Sequence, residues 1–162
     1  MLTFQELYES NVEDVYRFSL WLSGDRFEAE DITSDTFIRA WAKRRRIRTE
    51  TLKAYLFAIA RNLFLEKQRK QKRQVKLTDI YPHEGPEPDD LIDSRKELQR
   101  VHSILQTFPE VDRAAFIMRV QHELPYAEIA RVIGLSLTAT KVKVHRVRKK
   151  LLTTCIEEEV KY

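Results

Sequence analysis

The chain has 162 residues with 29 Lys plus Arg, 25 Asp plus Glu and 43% hydrophobic residues, enough for one medium domain or two small ones. Three glycines and five prolines favour helices over turn-rich sheets, and no apolar run approaches the ~18 residues of a membrane span. A single cysteine, Cys155, excludes an internal disulfide framework, so a cytoplasmic protein without membrane insertion is expected.

Thr3-Phe-Gln-Glu6 has the spacing of a capping box, and Leu7, Val15, Phe18 and Leu22 follow at helical intervals. The acidic residues among them, Glu6, Glu13 and Asp14, rule out a signal peptide. Gly24 ends this first helix and Asp25-Arg-Phe-Glu28 opens a second. Ala29, Ile32, Thr33, Thr36, Phe37, Ala40 and Trp41 give the second helix a wide core-facing stripe. Residues 44–51 read as a basic loop. A third helix spans about 52–73, with Leu52, Tyr55, Leu56, Ile59, Ala60 and Leu63 on one side. Phe57 and Leu65 fall on its other side, which predicts contact from two directions.

Periodicity then stops. Residues 75–93 contain Pro82, Gly85, Pro86 and Pro88 among acids, the composition of a flexible linker. Ser94 to Glu97 has capping-box spacing, and Leu98, Val101, Leu105 and Phe108 start a further helical domain. Pro109 suits the first turn of the next helix, which carries Ala115, Phe116 and Val120. Pro125 starts a short helix to Ile133, Gly134 stops it, and Ser136 caps the last. The expected fold is all-α: a three-to-four-helix bundle over 1–74, an acidic linker over 75–93, and a helix-turn-helix domain over 94–162.

The net charge of +4 hides an uneven distribution. Residues 1–38 carry a net −7, residues 39–76 a net +12, and residues 77–97 a net −5. The stretch 141–151 holds six basic residues and no acid. Two separate basic blocks suggest two contacts with a polyanion.

The last two helices form helix, glycine turn, helix, the arrangement that places its second helix in the DNA major groove. At 100° per residue, Leu137, Thr140, Val144, Val147 and Leu151 share the packing face of the last helix. Thr138, Ala139, Val142, Arg146 and Lys149 lie opposite, with His145 at the edge and Lys141, Lys143, Arg148 and Lys150 flanking. A merely solvated helix face rarely mixes Ala and Val with cations, whereas a groove reader sets small apolar groups against thymine methyls. Arg146 has the reach for a bidentate guanine contact, and the lysines suit phosphates.

Taken together these segments resemble the extracytoplasmic-function group of bacterial sigma factors. Residues 28–41, EAEDITSDTFIRAW, are similar to that family's A-E-D-x-x-Q-E-T-F-x-R-A-W helix. Residues 52–63, LKAYLFAIARNL, resemble its W-L-x-x-I-A-x-N helix. Phe108-Pro-Glu110 and Leu124 to Ala130 match its L-P and L-S-Y-x-E-I-A elements, and residues 140–148 its T-V-K-S-R-x-H-R-A-R segment. The match runs through nearly the whole chain in order.

The resemblance implies a dissociable subunit that gives RNA polymerase core its promoter specificity. It places Asp31, Asp35, Phe37, Arg39 and Trp41 in the helix that binds the polymerase clamp coiled coil. It places Arg44, Arg45, Arg46, Arg48, Lys53 and Asn62 where the −10 strand is melted and captured, with Tyr55 offering a stacking edge. Thr138, Lys141, Val142, Lys143, His145, Arg146 and Lys149 fall in the −35 reading helix. Promoter DNA and, by the family's usual arrangement, an anti-sigma factor are the further partners it implies. Two departures, Thr138-Ala-Thr140 and the Val142-Lys143 pair in place of Ser-Arg, imply a different −35 sequence. Residues 152–162 are too short for an added carboxy-terminal domain.

An operator-binding regulator would explain the helix-turn-helix but leave the first domain without a role. No enzyme is expected. His83, His102, His122 and His145 are scattered, no Cys/His metal spacing or Gly-rich phosphate loop occurs, and no cofactor is implied.

Overall fold

In the computed structural model, which describes residues 2–75 and 93–159, the described residues form seven α-helices and two short 3-10 turns. The helices are α1 (Phe4–Ser23), α2 (Arg26–Ala42), α3 (Leu52–Val75), α4 (Asp93–Gln106), α5 (Glu110–Val120), α6 (Tyr126–Ile133) and α7 (Leu137–Glu159). The 3-10 turns, Arg44–Arg46 and Thr49–Thr51, occupy the segment expected to be a basic loop. Val75 and Asp93 end and begin helices, and the rest of the expected linker lies outside the described residues. The side chain of Ser94, expected to cap α4, also lies outside them.

Side chains near the helix ends set their boundaries. Thr3 Oγ1 accepts from the Glu6 amide at 3.1 Å and the Glu6 carboxylate accepts from the Thr3 amide at 3.0 Å, which completes the capping box. Asp25 caps α2 by accepting from the amides of Phe27 and Glu28 at 2.8 and 3.3 Å. Gly24 and Gly134 end α1 and α6 with φ of 75° and 72°, a backbone region that favours glycine. Ser136 accepts from the Ala139 amide at 3.1 Å and starts α7. Pro109 and Pro125 each stand one residue ahead of their helices, at the cap position.

The first three helices pack around Leu7, Val15, Phe18, Leu22, Ile32, Phe37 and Leu56. Every position of the α2 stripe is buried except Trp41, which is half-buried. In the carboxy-terminal half α5 is the axis: seven consecutive residues of it, Asp112 to Met118, are buried between α6, α7 and the amino-terminal half. The two halves touch. Helix α1 packs on α5 and α3 packs on α6, so one continuous cluster of buried apolar residues runs from Leu7 to Val147. This is the second direction of contact on α3, where Phe57 meets His122 with ring centroids 4.6 Å apart.

Candidate nucleic-acid interface

Helix α7 divides by exposure as its periodicity predicts except in its first turn, where Leu137, expected on the packing face, is exposed and Ala139, expected opposite, is half-buried. Thr140, Val144 and Val147 are buried, while Thr138, Lys141, Val142, His145, Arg146 and Lys149 are exposed. Val142, 42% exposed, stands in the middle of that cationic face. Arg146, Lys149, Lys150 and Thr153 of α7 line one side of an open groove of about 440 Å³, with Thr107 and Phe108 on the other. Tyr126, at the start of α6, lies under two cations: the Arg119 guanidinium 4.4 Å and the Lys141 ammonium 5.8 Å from its ring centre. That stack ties the first helix of the motif to the first turns of the second.

Lys143 departs from the expected pattern. Its ammonium lies 2.8 Å from the Asp112 carboxylate on α5, and Asp112 is buried. Releasing Lys143 to a phosphate would leave a buried carboxylate unpaired, which costs more than one surface phosphate contact returns. Lys143 therefore clamps α7 to α5 and sets the tilt of the exposed face. Its partner, Asp112, carried no periodic or motif signal in the sequence.

The second basic block lies around the 3-10 turns. Arg44, Arg45, Arg46 and Arg48 are all exposed. The Arg44 guanidinium packs 4.4 Å over the Trp41 ring and donates to the Trp41 carbonyl at 3.1 Å, which fixes how the turn leaves α2. Trp41 in turn meets Phe4 edge-on at 5.5 Å, and Phe4 stacks on Tyr8. Asn62 is exposed on α3. Lys53 is pinned to Asp14 at 3.1 Å, and Tyr55 lines a cleft of about 200 Å³ with Glu128, Arg131 and Val132 of α6.

On α2, Asp31, Asp35 and Arg39 are exposed, and so are Phe27 and Ile38, at 62% and 65%. Asp31 and Asp35, one turn apart, repel each other mildly. Lys67 of α3 approaches Asp31 at 3.6 Å and offsets part of that repulsion. Arg39 pairs with Glu66 at 3.2 Å, which holds the Glu66 carboxyl below the ordinary carboxylate range. Phe37 does not belong to the exposed set. It is 1% exposed, and truncating a core phenylalanine typically costs about 3–5 kcal/mol, so its role is packing. Phe27 and Ile38 were missed because exposed apolar residues carry no periodic signal of their own.

Among the described residues no group of three or more His, Cys, Asp or Glu could hold a metal ion, and no helix is long and apolar enough to cross a membrane.

Comparison with known proteins places this geometry. Residues 7–74 match the family model for sigma-70 region 2, and residues 98–151 that for sigma-70 region 4. The chain is 30% identical over 156 residues to the ECF RNA polymerase sigma factor SigE of Mycolicibacterium smegmatis, covering 93% of this chain and 61% of that protein. It is 29% identical over 155 residues to the ECF RNA polymerase sigma factor SigM of Bacillus subtilis, covering 93% of both. Its fold is similar to the sigma factor RpoE of Bartonella quintana, crystallised in complex with the anti-sigma factor NepR. That match has a TM-score of 0.77 and 28% identity over 91% of this chain and 93% of the other.

Proposed function

We propose that this chain, which belongs to the extracytoplasmic-function group of the sigma-70 family, is a dissociable initiation subunit of RNA polymerase. It directs core polymerase to promoters by binding the −10 and −35 elements through its two basic surfaces. Its work is binding and strand opening in the cytoplasm, with no reaction of its own and no cofactor.

The division of labour follows the two halves of the chain, 1–74 and 94–162. Asp31, Asp35, Arg39 and the flanking Phe27 and Ile38 present polymerase core with an acidic stripe edged by apolar groups, a match for a basic, amphipathic partner helix. The arginines of the 3-10 turns hold the backbone of a parted strand, and the edge of α3 around Asn62 receives its bases. Helix α7 enters the major groove with Thr138, Lys141, Val142 and His145 in its first turns, and Arg146 and Lys149 further along. An anti-sigma factor is the natural antagonist, by analogy with the structural relative bound to one.

The single observation that carries this reading is the occurrence, in one chain and in order, of both sigma-70 regions with an exposed basic surface on each. Run-off transcription with purified core polymerase on a promoter library is the test. Enrichment of two short elements at a constant spacing is the expected outcome. DNA binding without any core-dependent transcript would favour a free-standing operator-binding regulator instead.

A further inference from the structure

We propose that Phe4 and Tyr8 of α1, braced by Trp41 of α2, form a stacking platform for a nucleobase of the parted promoter strand. This site is additional to the Asn62 edge of α3, and the inference rests on the proposed role in strand opening.

The platform is a linked set of rings. Phe4 and Tyr8 stand one helical turn apart, with ring centroids 6.0 Å apart and planes 21° from parallel. Each is held edge-on by a ring of α2. Trp41 meets Phe4 at 5.5 Å and 76°, and Phe37 meets Tyr8 at 5.1 Å and 65°. Phe37 belongs to the core and Trp41 is half-buried, so the pair rests on fixed supports. Phe4 and Tyr8 themselves stay 42% and 41% exposed. Two nearly parallel rings that remain wet above buried supports do not complete the core. Because neighbouring rings already hold them, stacking a flat ligand on them costs little further side-chain ordering.

Charge selects the occupant. The Arg44 guanidinium lies 4.4 Å from the Trp41 ring centre, which puts it within about 10 Å of the Phe4 centroid. Arg45, Arg46 and Arg48 follow, all exposed. The nearest acids along α1 are engaged. Glu6 accepts from the Thr3 amide at 3.0 Å, and Glu9 accepts from the Gln5 side-chain amide at 2.9 Å. A basic partner helix, the kind that suits Asp31 and Asp35, would be repelled by the arginines, whereas a polyanion is drawn to them. A flat group with an apolar face, carried on a polyanion, is a nucleobase.

Reach and timing agree with that occupant. At roughly 3.4 Å per stacked nucleotide, and more in a strand drawn out, the step from Arg44 to Phe4 is about three nucleotides or fewer. A strand whose phosphates sit on the arginine turn can therefore set one of its own bases on Phe4 and Tyr8. In a duplex each base is covered by its neighbours, so only a parted strand offers a free face. The platform thus binds the open form and not the closed one, and shifts the equilibrium towards opening. Every base has a face to stack, and a purine covers more of the rings than a pyrimidine, so the preference is graded.

Short single-stranded DNA carrying 2-aminopurine, whose fluorescence falls when the base stacks, tests this on the full chain alone and bound to core polymerase. The wild type should quench the label. Phe4→Leu/Tyr8→Leu keeps apolar bulk and helix propensity but removes the rings. It should abolish the quenching and weaken single-strand binding roughly five- to 150-fold, with an unchanged salt slope because no cation is lost. Tyr8→Phe should quench like the wild type, and circular dichroism should show equal helicity in all forms. On a promoter, the leucine variant should also lower permanganate reactivity of the −10 thymines. Absence of quenching with and without core, or quenching that survives the leucine variant, would overturn the platform. Loss of core association in that variant, with single-strand binding intact, would overturn it in favour of a polymerase-facing surface. Ring-dependent quenching with wild-type permanganate reactivity would overturn its part in opening. Ring-dependent quenching with no transcript from any form would leave the single-strand site standing and remove the initiation role instead.

Discussion

Lys143 of α7 donates to Asp112 of α5 at 2.8 Å, so one of the cations expected at the −35 positions turns inward. The pair joins a half-buried ammonium to a buried carboxylate, and it sets the angle at which the remaining cations meet DNA.

Lys143→Ala should therefore act first on stability. It leaves Asp112 buried and unpaired, a loss of about 1–3 kcal/mol, and for a chain of this size each kcal/mol lowers Tm by roughly 2–4 °C. Adding Asp112→Asn should recover most of that loss in a double-mutant cycle. A drop in −35 affinity with no change in melting would mean that Lys143 reaches phosphate after all.

Specificity and affinity should separate along the outer face of α7. Arg146→Ala should relax preference at one −35 position by roughly 5- to 150-fold, the worth of a bidentate guanine contact. Lys150→Ala should weaken all sequences alike and flatten the salt dependence by about one unit. Equal, sequence-blind losses from both would show that α7 is not docked with this face in the groove.

Binding to core polymerase should depend on the exposed acids of α2. Asp31→Lys/Asp35→Lys should weaken core association roughly tenfold or more, because like charges then face a basic partner. Both side chains are exposed, so helicity should stay the same. Co-purification with core at wild-type levels would remove Asp31 and Asp35 from that surface.

Replacing Arg44, Arg45, Arg46 and Arg48 by alanine should impair strand opening more than closed-complex binding. All four are exposed, and only Arg44 has a packing role, over Trp41. Permanganate reactivity of the −10 thymines is the measurement. Full reactivity in the fourfold variant would reduce the turn to a solvated connection.

The contact between the two halves should loosen in acid. Burial against the edges of the stacked Phe18 and Phe57 rings pushes the pKa of His122 down from 6.5 to about 4, opposed by Asp14 and reinforced by Lys53 and Arg17. That contact thus favours neutral imidazole, and its contribution is complete above pH 6.5 and lost as pH falls toward 4. At pH 5.5 the ratio of joined to parted halves should be roughly tenfold lower than at pH 7.5 through this group alone. Asp14 faces the ring from α1 at 3.9 Å, and Lys53 faces Asp14 from α3 at 3.1 Å. Scattering across this range should show expansion in the wild type and a flatter profile for His122→Gln. Equal expansion in both would assign the effect to other groups.

Much of this molecule is legible one helix at a time. The capping residues Thr3, Asp25 and Ser136, the stops at Gly24 and Gly134, and the buried stripes of α2 and α7 depend on neighbours within four residues. Such interactions recur wherever the local spacing recurs, and for the same reason the exposed faces of α7 and of the basic turn could be read from charge placement. The inward turn of Lys143 needed a second helix to be in place.

The pairing of the two halves was decided only by the tertiary structure. Arg61 is one cation among many on a basic helix, Glu110 one acid in a first turn, and His122 one of four scattered histidines. They are 49 and more residues from the groups they meet, with no periodicity linking them. What selects them is shape and desolvation: a guanidinium finds a carboxylate and a helix-end carbonyl where water has been excluded, and an imidazole packs edge-on against two stacked phenyl rings. The sequence alone determined the helices, their charged faces and the family to which they belong. Whether those faces are free or covered depended on packing between surfaces far apart in the chain.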